Sequence, residues 1–341
     1  MSERPRISVI VTAHGRRGFL ADALASVANQ TLEPTAYEVL VAKDFPDEAI
    51  DRSIAERGWR AIDYREPAMG PMFGRCVEAA RGRVLAFLDD DDRFVPGKLA
   101  EVDRRFRRDP DLGYLHHWFA VIDERGERRP DGPFRAAERR HRAALGLVSL
   151  RPADRMQRLR RLPPVGLDFG NSCLCVRADL LRAHLDTLAS EAMFTLDTFA
   201  FFAALLAPCS LEIDPGRLTE YRLHPANTSL PQTPVEAQRH WARIAASYAA
   251  IREMVERSGD EAVRREAEAL VLLHQIDRAL SGERPGRSTC FALGRRGLAV
   301  RGTYFWNSRT NRLGHYGLAL ALLAGAIVPR VLDRWQRPDG A

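Results

Sequence analysis

Four consecutive carboxylates, Asp89 to Asp92, follow directly on the apolar run Val84-Leu85-Ala86-Phe87-Leu88. Like charges at that spacing repel one another, and their ionised forms are tolerated when a cation lies between them. An all-oxygen donor set suits Mg2+ or Mn2+, ions that commonly bridge to substrate phosphates. The competing use is a cap for the helix after Pro96, since Asp is a good N-cap and acidic groups favour a helix N-terminus. Capping employs one or two of the four and does not account for the rest.

A short apolar run bounded by polar residues reads as a buried strand, so the cluster falls at a strand's C-terminal end. In an open α/β sheet that edge binds ligands. Upstream, Ile7 to Val11 reads as a strand, and Phe19, Leu20, Ala23, Leu24 and Val27 follow at helical spacing. Tyr37 to Ala42 gives a second strand, Ile50 to Arg57 a short helix, and Cys76 to Ala80 a helix leading into the Val84 strand. This βαβ alternation predicts an α/β fold with a mostly parallel central sheet.

Downstream, Leu99, Val102 and Phe106 mark a helix ending near Asp109-Pro110, and Tyr114 to Ile122 reads as another strand. Arg128 to Arg161 is arginine-dense with few large apolar residues, the pattern of a peripheral insertion. Order resumes at Gly166 to Val176, and Phe194 to Leu206 reads as an apolar helix. Beyond Pro231 the chain becomes a C-terminal helical region: Thr233-Pro234-Val235-Glu236 has a capping-box pattern, and Trp241, Ile244, Ala245, Tyr248, Ile251 and Val255 trace one apolar face. A second helix is expected from Asp260 to Leu280, packed on the first, which places a boundary near residue 232.

The apolar stretch Tyr316 to Val328 reaches only ~20 Å as a helix, short of the ~30 Å hydrocarbon core, so a membrane span is disfavoured. With Arg309, Arg312, Arg330 and Arg334 around it, a helix over 313–335 suits either a membrane interface or packing on the helical hairpin. The chain has 341 residues and a net charge of +6, yet lysine occurs only at Lys43 and Lys98. Arginine supplies the basicity, through genome composition or phosphate contacts. Five scattered cysteines without CxxC spacing, and a polar N-terminus without a signal peptide, predict a reducing, cytoplasmic setting.

Three segments together resemble the family 2 glycosyltransferases. They are Ile7-Ser8-Val9-Ile10-Val11-Thr12-Ala13-His14-Gly15-Arg16, the stretch Leu24 to Thr31 ending Asn29-Gln30-Thr31, and Ala80-Arg81-Gly82-Arg83 running through Leu88 into Asp89-Asp90-Asp91-Asp92. The resemblance spans about residues 5–230. It implies a GT-A fold over 1–232, with a nucleotide-binding half over about 1–125 and an acceptor half over about 126–232, then the helical region 233–341. It also implies an inverting, single-displacement transfer from a nucleotide-diphosphate sugar donor to a glycan or lipid-linked acceptor. The setting expected is cell-surface polysaccharide synthesis, with possible peripheral membrane contact at the inner face of the plasma membrane and no nucleic-acid partner.

By the same match, Asp89-Asp90-Asp91 stands at the DxD motif, with Asp91 the metal ligand, Asp89 and Asp90 donor-binding, and Asp92 in support. Thr12 and Ala13 match the loop along the nucleoside, and Arg75 the arginine that touches base or phosphate. Val41-Ala42-Lys43-Asp44 departs from the family's paired aspartates: Asp44 is left for the base contact, and Lys43 is free to meet the acidic cluster or a phosphate, or to be solvated. Asp197, in Thr195-Leu196-Asp197-Thr198, falls at the base that takes the acceptor's proton. An N-cap role for the helix from Thr198 is compatible with the same position. In Tyr221 to Ser229, Arg222 is assigned to the diphosphate and His224 to the metal or the diphosphate. His116, His117 and Trp118 are open to either a site or a core role, and Asn171 and Ser172 to sugar hydroxyls or turn chemistry. Two alternatives stay in play: a non-catalytic nucleotide- or glycan-binding protein with a degenerate fold, argued from Lys43, and a sugar nucleotidyltransferase.

Overall fold

The computed structural model describes residues 4–66, 68–130, 136–163, 166–229, 232–281, 287–300 and 302–305. The stretch Tyr316 to Val328 lies outside them. Two compact units are present, Met1–Ala153 with Leu167–His240, and Asp154–Gly166 with Trp241–Ala341.

In the first unit, strands β1 (Ile7–Ala13), β2 (Tyr37–Lys43), β3 (Arg60–Asp63) and β4 (Val84–Asp89) alternate with helices α1 (Leu20–Ala28), α2 (Glu48–Glu56) and α3 (Met69–Ala79). The four strands pair in parallel in the order β3-β2-β1-β4. Every residue of β1 is buried, as expected for a parallel strand covered on both faces. Val9, Val11, Val39, Val41, Ala86 and Leu88 share one face, a period of two. They join Leu20, Ala23, Leu24 and Val27 of α1 in the main core.

The chain then runs through β5 (Arg93–Phe94), α4 (Lys98–Arg108), β6 (Leu112–Ile122), α5 (Ala136–Leu145), β7 (Val148–Leu150) and α6 (Arg155–Leu159). It continues through β8 (Leu174–Arg177), α7 (Ala178–Arg182), α8 (Leu185–Leu188), α9 (Leu196–Leu206) and β9 (Ser210–Arg222). β8 inserts antiparallel between β4 and β6, while β6 and β9 form a long parallel ladder with bulges at His116 and Trp118. The long ladders are parallel and the antiparallel ones short, which agrees with the α/β expectation.

Two corrections follow. The strand Ser210–Arg222 is not signalled by the sequence, because Asp214-Pro215-Gly216 interrupts its apolar pattern. The arginine-dense stretch is not merely peripheral: Arg142 of α5 is fully buried, donates to the Asp214 carbonyl and to His116 Nδ1 at 2.8 Å, and lies 4.7 Å from the Trp118 ring. That network also puts His116, His117 and Trp118 in the interior. A buried arginine is tolerated because its planar fork finds several acceptors at once.

The helical unit holds most of α10 (Pro234–Ser258), then α11 (Glu261–Ser281) and α12 (Arg287–Ala299). The capping box forms reciprocally: Thr233 Oγ1 accepts from the Glu236 amide at 3.2 Å, and Glu236 accepts from the Thr233 amide at 3.1 Å. α10 and α11 pack as a hairpin, with His274 Nε2 3.2 Å from the Trp241 carbonyl and its ring against Tyr248. Buried Glu266 accepts the Tyr304 amide and pairs with Arg160 at 3.2 Å, tying residues 154–166 into this unit. Among the described residues no helix is long and apolar enough to cross a membrane.

Candidate active site

Strand order reverses between β1 and β4, and the crevice at such a switch point is where open α/β sheets bind ligands. Register sets Thr12 beside Asp89, and the Asp90 amide donates to the Thr12 carbonyl at 3.1 Å. The chain then turns sharply, with the Asp92 amide donating to the Asp89 carbonyl at 3.2 Å, and enters β5. This turn sends the four carboxylates in different directions, which the sequence alone does not reveal.

Asp89 faces the turn Asn171–Cys173: its carboxylate accepts from Asn171 Nδ2 at 3.2 Å and from Thr12 Oγ1 at 3.4 Å, while its amide donates to Ser172 Oγ at 3.0 Å. Asp90 and Asp91 face Arg16, whose guanidinium nitrogens lie 2.5 Å from Asp90 Oδ1 and 2.7 Å from Asp91 Oδ2. Asp91 Oδ2 also lies 3.1 Å from His224 Nε2 and 3.5 Å from Asn227 Nδ2. Asp92 points inward and accepts the Arg222 amide at 3.0 Å.

Crowding and burial stagger the charges. Burial, then the Asp91 charge, pushes Asp89 up to about 6. Burial pushes Asp90 up to about 7 against the attraction of Arg16. Asp92 is raised well above the usual range by burial and by its acidic neighbours. For Asp91 burial is outweighed by the His224 hydrogen bond and the Arg16 charge, so it stays below the ordinary value. Asp91 is therefore the carboxylate of the four most firmly kept ionised, and it sits beside an imidazole.

Behind the cluster, Lys98 is fully buried and donates to the Ser172 carbonyl at 2.7 Å and to Thr219 Oγ1 at 3.2 Å, with the Phe94 ring centroid 3.5 Å away. Burial lowers its ammonium to about 8. Lys98 thus fixes the Ser172 backbone, and Ser172 in turn fixes Asp89.

Asp197 lies inside the first turn of α9, so the capping position belongs to Thr195, whose side chain makes no capping hydrogen bond. Asp197 Oδ1 accepts the Thr198 amide at 2.8 Å and Oδ2 the Gly170 amide at 2.7 Å. Gly170 adjoins Asn171, so one short turn links the Asp197 carboxylate to that of Asp89. Burial, reinforced by Asp168, pushes Asp197 up to about 7. Half-buried Phe169 and Tyr221, with Phe119 beneath, form an aromatic wall next to this turn.

The other expected residues fall in different places. Thr12 and Ala13 end β1, both buried. Asp44 accepts the Gly15 amide at 2.8 Å and lies 2.8 Å from His14 Nδ1, bracing the loop after β1. Lys43 turns away from the acidic cluster: Nζ donates to the Phe45 carbonyl at 2.7 Å and pairs with Asp51. Arg75 donates to the Asp63 carbonyl and pairs with Glu66 at the end of β3, rather than reaching the aspartates.

Arg222 departs most from expectation. It is fully buried and donates to the Asp91, Asp123 and Glu124 carbonyls, pairs with Asp22, and lies over the Phe19 ring at 4.6 Å. Its guanidinium builds the turn that carries Asp91 and is not presented to a diphosphate. Arg16 closes the first family-like segment but carries no role legible from sequence, since its partners Asp90 and Asp91 lie about 75 residues away. Nor is a role legible for Asn227, three residues beyond His224.

Asp91 and His224 offer one oxygen and one nitrogen at a single point. No group of three or more acidic, histidine or cysteine ligands is present among the described residues. Mg2+ commonly takes one or two protein ligands and completes its shell with water and substrate phosphates, so the pair fits a hard divalent ion completed by a diphosphate.

A sequence model described as "Glycosyl transferase family 2" matches residues 8–181. An uncharacterized glycosyltransferase of Rickettsia bellii is 30% identical over 126 residues, 36% of this chain and 18% of that protein. The putative glycosyltransferase EpsH of Bacillus subtilis is 26% identical over 130 residues, 37% of each chain. The chain thus spans well under half the length of these relatives. S. aureus TarS residues 1–349, solved in complex with UDP-GlcNAc, share the fold with a TM-score of 0.54 at 15% identity, over 96% of this chain and 82% of that one. The strand-end aspartates and the half-chain sequence match agree, and the chain belongs to glycosyl transferase family 2.

Proposed function

We propose that this chain transfers a sugar from a nucleotide-diphosphate donor to a hydroxyl of a glycan or lipid-linked acceptor, by a single displacement that inverts the anomeric centre. The observation that carries the reading is the linkage of two chemistries across one turn: Asp197 and Asp89 both bind the segment Gly170–Asn171. Two carboxylates so placed serve an acceptor and a donor respectively. The binding of UDP-GlcNAc by TarS, of the same fold, supports a nucleotide-sugar donor.

The acceptor hydroxyl lies against Asp197, which takes its proton as the new bond forms at the anomeric carbon and the nucleoside diphosphate leaves. A carboxylate near 7 is well matched to that task. Asp91 and His224 would hold Mg2+ or Mn2+, which would supply charge stabilisation to the diphosphate leaving group. Asn171, Thr12 and Ser172 fix the Asp89 carboxylate for the donor's ribose or sugar, and the Phe169 and Tyr221 wall offers apolar faces to an acceptor ring. Lys43, the argument for a binding-only protein, pairs with Asp51 and leaves the aspartates undisturbed.

The test is nucleoside diphosphate release from a panel of nucleotide sugars with Mn2+ and candidate acceptors. Asp91→Ala should abolish it. Asp197 acts as a base only when ionised, so kcat/KM should fall as pH drops through about 7 and level off above it. Asp197→Asn should cost ~10²–10⁴ in rate, the usual contribution of a positioned base, and lose that acid limb. An Asn variant at wild-type rate removes Asp197 from the mechanism.

A further inference from the structure

The guanidinium of Arg16 bridges the Asp90 and Asp91 carboxylates, and its contact on Asp91 is the same Oδ2 that faces His224. Its remaining anchor is the Ala226 carbonyl at 3.2 Å, and its side chain is 25% exposed. We propose that Arg16 is a resident counter-cation that competes with the divalent ion for Asp91. It holds the acidic turn assembled in the free protein and yields when donor and metal enter. This rests on the reading of Asp91 as the metal ligand.

Three observations carry the proposal. First, a divalent ion bonds a carboxylate oxygen at about 2.0–2.2 Å. With Arg16 2.7 Å from that oxygen, both cations would lie within a few ångströms of each other, where like charges repel strongly. Second, Arg16 is held less firmly than the other arginine of the turn. Arg222 is fully buried and spans three carbonyls, whereas Arg16 lies on a loop without regular structure and keeps solvent access. Third, the loop has a release point. Gly15, at φ +68°, is held through its amide by Asp44, the residue expected to meet the nucleobase, and His14 pairs with the same carboxylate. A base that engages Asp44 competes with the bonds fixing the residues next to Arg16. A displaced guanidinium, still on the same loop, remains within reach of an incoming diphosphate, for which its planar fork is suited.

The experiment is Mn2+ binding to the full chain without nucleotide, followed by the electron paramagnetic resonance signal of free Mn2+. Arg16→Gln should lower the Mn2+ Kd at least tenfold, and Arg16→Lys, which keeps the charge but cannot bridge two carboxylates, should fall between. A merely structural role predicts the reverse, a weaker site in both variants. Equal Mn2+ affinity in wild type and Arg16→Gln overturns the competition while leaving the metal reading intact. Absence of Mn2+ binding in all three proteins, each with an unchanged melting transition, overturns the competition, and its persistence when a nucleoside diphosphate is added overturns the metal reading as well. Where a variant fails to fold, the native protein is followed instead by NMR of its arginine Nε–H groups: saturating Mg2+ should shift the Arg16 signal as its contact with Asp91 is broken, and an unmoved signal counts against the proposal.

Discussion

Replacing Arg222 by leucine separates a structural arginine from a substrate-binding one. The guanidinium satisfies the Asp91, Asp123 and Glu124 carbonyls from a fully buried position. A buried acceptor left unpaired costs about 1–3 kcal/mol. The Asp22 partner is 43% exposed and can return to water, so its loss adds little. Only the Asp91 carbonyl is left buried and unpaired, since that of Asp123 keeps the Gly126 amide and Glu124 is exposed, so the loss is about 1–3 kcal/mol, partly offset because leucine keeps apolar contact with Phe19. At about 2–4 °C per kcal/mol for a unit of this size, the melting temperature should fall by several degrees, up to about 12 °C. Differential scanning calorimetry measures this directly, and donor KM is compared at a temperature where both proteins are folded. Arg222→Lys should be intermediate, since one ammonium cannot reach all three carbonyls. An Arg222→Leu protein with wild-type melting and a strongly raised donor KM would refute the reasoning and return Arg222 to the diphosphate.

Two further perturbations test the framework. The folded-state pKa of Lys98 is lowered from 10.5 to about 8, so between those values the unfolded chain binds the extra proton and stability rises with pH. The difference in unfolding free energy between wild type and Lys98→Met should therefore shift in favour of wild type by roughly 3 kcal/mol from pH 8 to pH 10.5, about 1.4 kcal/mol per unit; a flat difference shows that the ammonium is solvated. Gly70 in α3 lets the helix approach the segment after α8, because a Cβ there would lie 1.9 Å from the Ser190 carbonyl oxygen and 3.0 Å from that of Leu188. Gly70→Ala should cost about 1–3 kcal/mol or more by overpacking against backbone, seen as a lower urea midpoint, and a neutral substitution would show that α8 shifts freely.

Much of the nucleotide-binding half was legible because its signals are local. Buried parallel strands read as continuous apolar runs, and helices as 3.6-residue spacing, so β1, α1, β2, β4 and α4 follow from Ile7, Leu20, Tyr37, Val84 and Leu99 onward. The capping box at Thr233 is likewise a pattern within four consecutive residues, Thr233 to Glu236. β3 and β9 were not legible, since short or Pro-Gly-interrupted strands owe their existence to the ladders they join.

Sequence by itself determined that four carboxylates terminate a buried strand and that Asp197 opens an apolar helix. Residue type and spacing also fixed the family pattern around them. Only the tertiary structure decided what each charged group does. It turned Arg222 inward, Lys43 outward and Arg16 onto Asp90 and Asp91, and it left Asp91 as the member of the cluster held most firmly ionised. The physical reason is that a side chain's electrostatic role depends on burial and on partners that are remote in sequence: Arg16, Asp91, Arg222 and His224 come from the ends of three different strands.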